Sequence, residues 1–162
     1  MKGLLGIILF VSILVLFSCS DNSTDPSGTS SEVTCKVRNG VVLDFKSDST
    51  FIENIRTNDF TIRSLKVFMT VGTEKHILTL FINDYQNSKI TYPVKAGSAQ
   101  AFYEIDGKEE YMYDIDAEEN SGVITLTTVS NDAWVGSFHF EAESKDKDKE
   151  IEVIEGKINV KK

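Results

Sequence analysis

The chain has 162 residues and a formal net charge of −8 at pH 7, with 25 acidic side chains against 17 basic ones. An acidic body of this kind is soluble and repels nucleic acid and anionic lipid, so a nucleic-acid-binding function is excluded. The length fits one domain after a short leader segment.

Residues 1–18 have the pattern of a lipoprotein signal peptide. Lys2 supplies a positive start, and Leu4–Phe17 is an uncharged run that is shorter than the roughly 20 residues of a membrane span. The segment ends in a Leu-Phe-Ser-Cys lipobox, which predicts cleavage before Cys19 and acylation of that cysteine. Two acyl chains, palmitate among them, would hold the chain stably on a lipid bilayer.

A polar tether is predicted to follow the acylated cysteine. Residues 19–32 are rich in Ser, Thr, Asp, Asn and Gly, and they offer nothing to bury that could offset the entropy of ordering them. Fully extended, this segment would reach about 45 Å from the lipid. Residues 33–162 are then expected to form a single all-β domain.

From Val33 onward, short runs rich in Val, Ile, Thr, Phe and Tyr alternate with turn residues. This spacing is typical of an antiparallel β-sandwich or a small, partly open barrel, and no stretch keeps a helical period. Neither Pro26 nor Pro93 interrupts a predicted strand. The predicted strands are Thr34–Arg38, Val41–Phe45, Thr50–Ile55, Thr61–Val71, His76–Ile82, Ala99–Ile105, Glu110–Ile115, Val123–Val129, Val135–Ala142 and Ile151–Val160.

Two dipeptides indicate hairpins. The Asn-Gly pair at 39–40 predicts a type I′ turn, which needs positive φ angles at both central residues. The Asp-Gly pair at 106–107 leaves two registers open. A two-residue loop opposes Tyr103 with Glu110, whereas a three-residue loop opposes it with Tyr111, which packs better.

Alternation also predicts which side chains form the core. Cys35 alternates with Val33 and Val37, which favours a small buried strand residue over a reactive or intermolecular thiol. The charged stretch Ser144–Glu150 is interpreted as a solvated hairpin tip. The predicted core faces are Leu65, Val67, Met69 and Val71; Ile124 and Leu126; Phe138, Phe140 and Ala142; and Tyr111, Tyr113 and Ile115.

The C-terminal part has a recurring pattern of glycines and apolar residues, namely Gly122, Ile124, Thr125, Gly136, Phe138, Phe140, Ala142 and Gly156. With the lipobox, the polar tether and the first strand ending at Asn-Gly, this pattern resembles short Bacteroidota lipoproteins that carry a β-rich domain of unknown function. Ile158 stands where an aromatic residue is usual. The resemblance implies an outer-membrane lipoprotein that faces the periplasm or the cell surface, with Asp21 as a short match to an acidic export signal.

Candidate binding residues are few. Carboxylates at alternate positions, Asp114, Asp116 and Glu118, precede a glycine and form a candidate cation site, although the spacing is not that of an EF-hand. Trp134 is a candidate ligand contact, because an exposed aromatic ring on a β-sandwich can stack on a sugar. The alternatives are a solvated acidic turn and a core tryptophan.

Chemistry beyond binding has no support in the sequence. There is no nucleophile elbow, His-Glu-x-x-His motif, P-loop or Gly-x-Gly-x-x-Gly motif, and no cofactor is expected. His76 begins a predicted strand, and His139 is expected to point away from its neighbours Phe138 and Phe140. We therefore expect a non-catalytic binding or accessory module with a glycan or protein ligand. The alternatives are a lipocalin-like carrier of a small apolar ligand and, last, an enzyme.

Overall fold

The structure, a computed structural model, describes residues 31–56, 61–83, 91–95, 97–105, 107, 113–114, 121–130 and 132–161. Within these ranges the chain is all-β. Its strands are β1 Glu32–Asn39, β2 Val41–Lys46, β3 Ser49–Arg56, β4 Thr61–Val71, β5 Glu74–Ile82, β6 Thr91–Pro93, β7 Ala99–Ile105, β8 Tyr113–Asp114, β9 Gly122–Val129, β10 Ala133–Ser144 and β11 Glu150–Lys161.

The strands form two antiparallel sheets that pack face to face. Sheet 1 has the order β2-β1-β11-β10-β9-β6, and sheet 2 has the order β3-β4-β5-β7-β8. Strand β8 connects the sheets, because Tyr113 is the register partner both of Tyr103 in β7 and of Ser144 in β10. The described strands do not close into a barrel, and the prediction of an all-β sandwich is confirmed.

The first and last strands of the domain lie side by side in the interior of sheet 1. Strand β1 has β2 on one side and β11 on the other, with Val33 opposite Ile158 and Arg38 opposite Glu152. The start of β1 therefore lies beside the end of β11. Ser31 fixes this point, since its hydroxyl donates to the carbonyl of Lys161 at 2.5 Å and accepts from the amide of the same residue at 3.1 Å.

The core lies between the sheets and follows the predicted alternation. Val33, Cys35 and Val37 are all buried, and so are the predicted core residues of β4, β9 and β10, apart from Val71. Val71 is 38% exposed because it ends β4, next to the turn at Gly72. The side chains of the predicted face Tyr111, Tyr113 and Ile115 lie outside the described residues.

A bulge in β11 reverses the inward and outward alternation of that strand. Ile151 and Val153 are buried before it, and Ile158 and Val160 after it. Both neighbouring strands change register at this point, and Glu155 adopts a positive φ of 53°. Without this extra residue, one half of β11 would turn its apolar side chains to solvent.

Close strand packing explains the glycines at positions 136 and 156. A Cβ added at Gly136 would run into the carbonyl oxygen of Thr125, and one added at Gly156 would run into the backbone and ring of Phe138. Both glycines therefore permit close approach of neighbouring strands.

Most of the predicted strands occur with ends shifted by one or two residues, and Thr61–Val71 and Ala99–Ile105 match their predictions fully. Strand β6 was not predicted. It contains Pro93 as its last residue, so this proline ends a strand and does not interrupt one. Proline fits here because β6 pairs with β9 alone among the described strands, which leaves it at a sheet edge.

The turn chemistry also differs from the predictions. The hairpin at 39–40 exists, but only Gly40 has a positive φ, so the turn is not type I′. Tyr103 pairs with Tyr113, so both registers proposed for the Asp-Gly loop are wrong and the connection is longer. Of the predicted strand Glu110–Ile115, the structure describes only Tyr113–Asp114.

The predicted C-terminal bound of the tether at residue 32 is wrong. Glu32 already belongs to β1 and pairs with Asn159, and its carboxylate lies 3.0 Å from the ammonium of Lys46. At the other end of the chain, residues 145–149 are exposed between β10 and β11, which confirms the predicted solvated hairpin tip.

Candidate functional site

The outer face of sheet 2 carries large apolar side chains, although the side chains of its inner face already supply the apolar contacts of the core. In β4, Leu65 and Val67 point inward, so Lys66 and Phe68 point outward. In β5, Leu78 and Leu80 are buried inside, and residues on the other side of the strand face outward. The outward set includes Phe51, Phe68, Ile77, Phe81 and Phe102, which we call the phenylalanine face.

The register places these side chains next to one another. Across the sheet, Phe51 lies opposite Lys66, which lies opposite Thr79, which lies opposite Phe102. Phe68 and Ile77 form a pair in the adjacent row. The phenylalanine face is therefore a continuous surface across the width of sheet 2.

Solvent reaches this surface to different degrees. Phe51 is 54% exposed on the edge strand β3, and the other members are half-buried. The rings of Phe81 and Phe102 meet edge to face with centroids 5.5 Å apart. The ammonium groups of Lys75 and Lys66 lie 4.6 Å and 5.6 Å from the centre of the Phe68 ring. Such contacts stabilise each cation only modestly at an exposed site.

One part of the outer face of sheet 1 is acidic. Glu141 faces Glu152 across the β10–β11 ladder, and Glu143 faces Glu150; we call these four residues the acidic strip. Like charges directly opposite are unfavourable. Arg38 relieves part of the repulsion, since its guanidinium donates to Glu152 at 2.9 Å.

A groove of about 750 Å³ runs over the acidic strip and is also lined by Arg38 and Lys147. A second groove of about 330 Å³ adjoins it and reaches the exposed His139. Both grooves are open to solvent; the larger one is lined mainly by charged side chains, and the smaller one has Glu141 and Glu152 beside Val123, Phe140 and Ile154. They do not have the apolar interior that a carrier of small apolar ligands requires.

The predicted sugar-stacking residue lies inside the core. Trp134 is 0% exposed, so its ring presents no surface to a ligand. The alternative interpretation of Trp134 as a core residue is the one that matches the structure. Its indole Nε1 is buried and has no hydrogen-bond partner among the residues that the structure describes.

The predicted cation site is described in one residue only. Asp114 belongs to β8, where its backbone pairs with Phe102 and Glu143. Asp116 and Glu118 lie outside the described residues, as does Cys19. Among the residues that the structure does describe, no group of three His, Cys, Asp or Glu side chains could hold a metal ion.

Three further predicted residues have clear positions. Cys35 is buried in β1 as a free thiol, and burial raises its pKa to about 12, which confirms the predicted core role. His139 is exposed, on the side of β10 opposite Phe138 and Phe140, as predicted. His76 is buried and shares a 2.6 Å hydrogen bond with the hydroxyl of Tyr103.

Sequence reasoning did not identify the phenylalanine face, but the sequence contains the signal. Strand β5 reads His-Ile-Leu-Thr-Leu-Phe-Ile from His76 to Ile82, so it is apolar on both alternating sides. A strand with one solvated face alternates between apolar and polar residues, whereas apolar residues on both sides indicate a second contact surface.

Comparisons with known proteins give no relative. No protein-family model, no curated protein and no solved structure matches the chain. Within the described ranges, no helix has the length and hydropathy that a membrane crossing needs.

Proposed function

We propose that the chain is an outer-membrane lipoprotein, anchored through acylated Cys19, whose β-sandwich is a non-catalytic binding module at the cell envelope. The observation that carries the binding role is the phenylalanine face. Here Phe51 is exposed and four further large apolar side chains on the same outer face are only half-buried. A group of apolar side chains that solvent still reaches is a common mark of an interaction surface on a folded domain.

The arrangement of the core supports a surface role over a carrier role. A lipocalin-like carrier encloses its ligand inside a barrel, whereas the inner side chains here pack against one another between two open sheets. The largest of these, including Trp134, Phe45 and Phe140, fill the space between the sheets. Any ligand of this domain would therefore bind on an outer face.

An enzymatic role has less support. A general acid or base needs a reactive group placed beside a substrate pocket, with a pKa that its surroundings tune. The described grooves hold exposed glutamates, and the buried His76 faces the core. The grooves are therefore better explained as parts of a charged surface than as a catalytic site.

The anchoring part of the proposal is tested by metabolic labelling with radioactive palmitate in a bacterial host that processes lipoproteins. The wild-type chain should incorporate label and sediment with membranes. The Cys19→Ser variant should lose both properties, whereas Cys35→Ser, which removes the buried thiol, should keep both. Label that persists in Cys19→Ser would overturn the proposal.

Protease treatment of intact cells, with lysed cells as control, then separates the two faces of the membrane. Digestion of the domain in intact cells places it on the cell surface, and digestion only after lysis places it in the periplasm. Both results are compatible with a binding module. They decide which partners can reach the phenylalanine face.

A further inference from the structure

We infer that the phenylalanine face docks on the phospholipid surface of the membrane to which the chain is anchored. This inference rests on the proposed function, because it assumes the lipid anchor at Cys19. It assigns the phenylalanine face an occupant, the glycerophosphate and upper acyl region of the bilayer, and it orients the domain on the membrane.

The first argument is the position of the tether relative to the face. Strand β1 begins beside the β2–β3 turn, where the amide of Val33 donates to the hydroxyl of Ser47 at 2.9 Å. In the same turn, the amide of Asp48 donates to the carbonyl of Phe68 at 2.8 Å. The point where the tether leaves the domain is thus joined to the phenylalanine face through two successive turn residues.

The second argument is the length of the tether. The residues between Cys19 and Ser31 span at most about 40 Å when extended. This is enough to let the domain lie flat on the bilayer, and it keeps the domain within about 40 Å of the lipid at all times. A tethered domain meets the membrane at a high effective concentration, so a weak interfacial affinity is sufficient for docking.

The third argument is the distribution of charge. Among the outward side chains of sheet 2 that the structure describes, Lys66 and Lys75 are matched in number by Glu53 and Glu104. These four charges balance, although the chain as a whole carries −8. The Lys66 ammonium group can meet lipid phosphates while the phenylalanine rings enter the interface.

The acidic strip strengthens this argument. It lies on the outer face of sheet 1, which is the opposite side of the sandwich. A domain that rests on sheet 2 keeps the acidic strip away from lipid phosphates, whereas the reverse orientation would press four glutamates against them. The charge pattern thus favours one orientation.

The experiment uses the full lipidated chain reconstituted in vesicles of phosphatidylethanolamine and phosphatidylglycerol. A polarity-sensitive dye is attached to a cysteine introduced by Gln100→Cys, on the phenylalanine side, or by Ser137→Cys, on the outer face of sheet 1. Because Cys19 is acylated and Cys35 is buried, the introduced thiol is the reactive one. Nitroxide-labelled lipid should quench the dye at position 100 several-fold more than the dye at position 137.

A matched pair of substitutions tests the role of the phenylalanine face. Phe51→Asp removes its most exposed ring, and Val42→Asp changes a residue of nearly equal exposure, 55% against 54%, on an edge strand of the other sheet. Phe51→Asp should reduce the excess quenching at position 100 about fivefold, as expected for loss of a half-buried phenylalanine. Val42→Asp should leave it unchanged. Thermal unfolding of both variants verifies that they are folded.

Several results would overturn the inference. Equal quenching at positions 100 and 137 in anchored protein means that the domain does not dock, while the proposed function stands. If Val42→Asp reduces the excess quenching as much as Phe51→Asp does, a surface other than the phenylalanine face is responsible. Self-association that Phe51→Asp disrupts assigns the face to a second copy of the chain. If the protein does not sediment with the vesicles, it is not anchored. The proposed function then fails together with the inference.

Discussion

His76 Nδ1 and Tyr103 Oη lie 2.6 Å apart inside the core and share a hydrogen bond that joins β5 to β7. The two rings also contact each other, with centroids 5.9 Å apart, and Tyr103 packs edge-on against Phe45. In a core that is otherwise apolar, this pair is one of the few polar links between strands of sheet 2.

Removal of the tyrosine hydroxyl should therefore destabilise the domain. Tyr103→Phe keeps the ring and its contact with Phe45, and it should cost about 1–2 kcal/mol, because the buried imidazole loses its partner. Urea unfolding measures this loss. The double variant with His76→Phe should be less destabilised than the sum of the single variants, and strict additivity would show that the hydrogen bond does not couple the two residues.

The close approach of β9 and β10 gives a prediction for Gly136. Gly136→Ala places a Cβ against the carbonyl of Thr125, which belongs to backbone and cannot move aside cheaply. We expect a loss of about 2–4 kcal/mol, within the range of overpacked positions. The control is Gly72→Ala, where φ is +62° but the space is open, and which should cost only about 1 kcal/mol. Equal losses in thermal or urea unfolding would contradict the steric explanation.

Cys35 should be inert in the folded protein. Its thiol is buried and its pKa is raised to about 12, so it remains protonated at neutral and mildly alkaline pH. In a chain with Cys19 replaced by serine, a maleimide should modify Cys35 only after denaturation. A cysteine introduced by Val42→Cys should react at once. Rapid modification of native Cys35 would indicate that β1 opens easily.

The ion pair at the bulge predicts a pH dependence of stability. The hydrogen bond from Lys36 and the positive charge of that residue hold the pKa of the Glu155 carboxyl below its ordinary value of 4.5, with the two groups 2.6 Å apart. A lowered folded-state pKa means that the contribution to stability is present above pH 4.5 and is lost as the pH falls below it.

Wild type should therefore be more stable than Glu155→Gln at pH 7, and the difference should shrink toward pH 3. Glutamine keeps the positive φ at this position, so the comparison isolates the charge. Added salt should also reduce the difference, because both side chains are exposed. In a Lys36→Met background the pH dependence of the difference should disappear. If it persists there, another group is responsible.

Much of the fold was predictable because one face of each strand must be buried. Val33, Cys35 and Val37 in β1, and Phe138 and Phe140 in β10, alternate with polar residues and are buried as predicted. Strand β6 was not predicted because it has only three residues and ends in proline, so it is too short to show the alternation of apolar and polar residues that identifies a strand. The register of Tyr103 was not predicted because it depends on β8, whose pairing with both β7 and β10 is a tertiary feature.

The site was less predictable than the fold, and for a physical reason. Trp134 was considered for ligand binding by residue type, but its large apolar surface is better used in the core. Phe51 and Phe102 lie far apart in sequence and come onto one row of sheet 2, with Lys66 and Thr79 between them, only through the strand register. A surface assembled across several strands has no local sequence motif.

The pairing of β1 with β11 has a consequence for the order in which the domain forms. The two strands stand at opposite ends of the domain sequence, yet each needs the other to complete the interior of sheet 1. A chain delivered from its N-terminus must hold Val33 and its buried neighbours unpaired until the last strand arrives, and contacts of this sequence separation form slowly. A stop codon before β11 would leave β1 and β10 as open edges, and we expect such a product to be degraded or to aggregate.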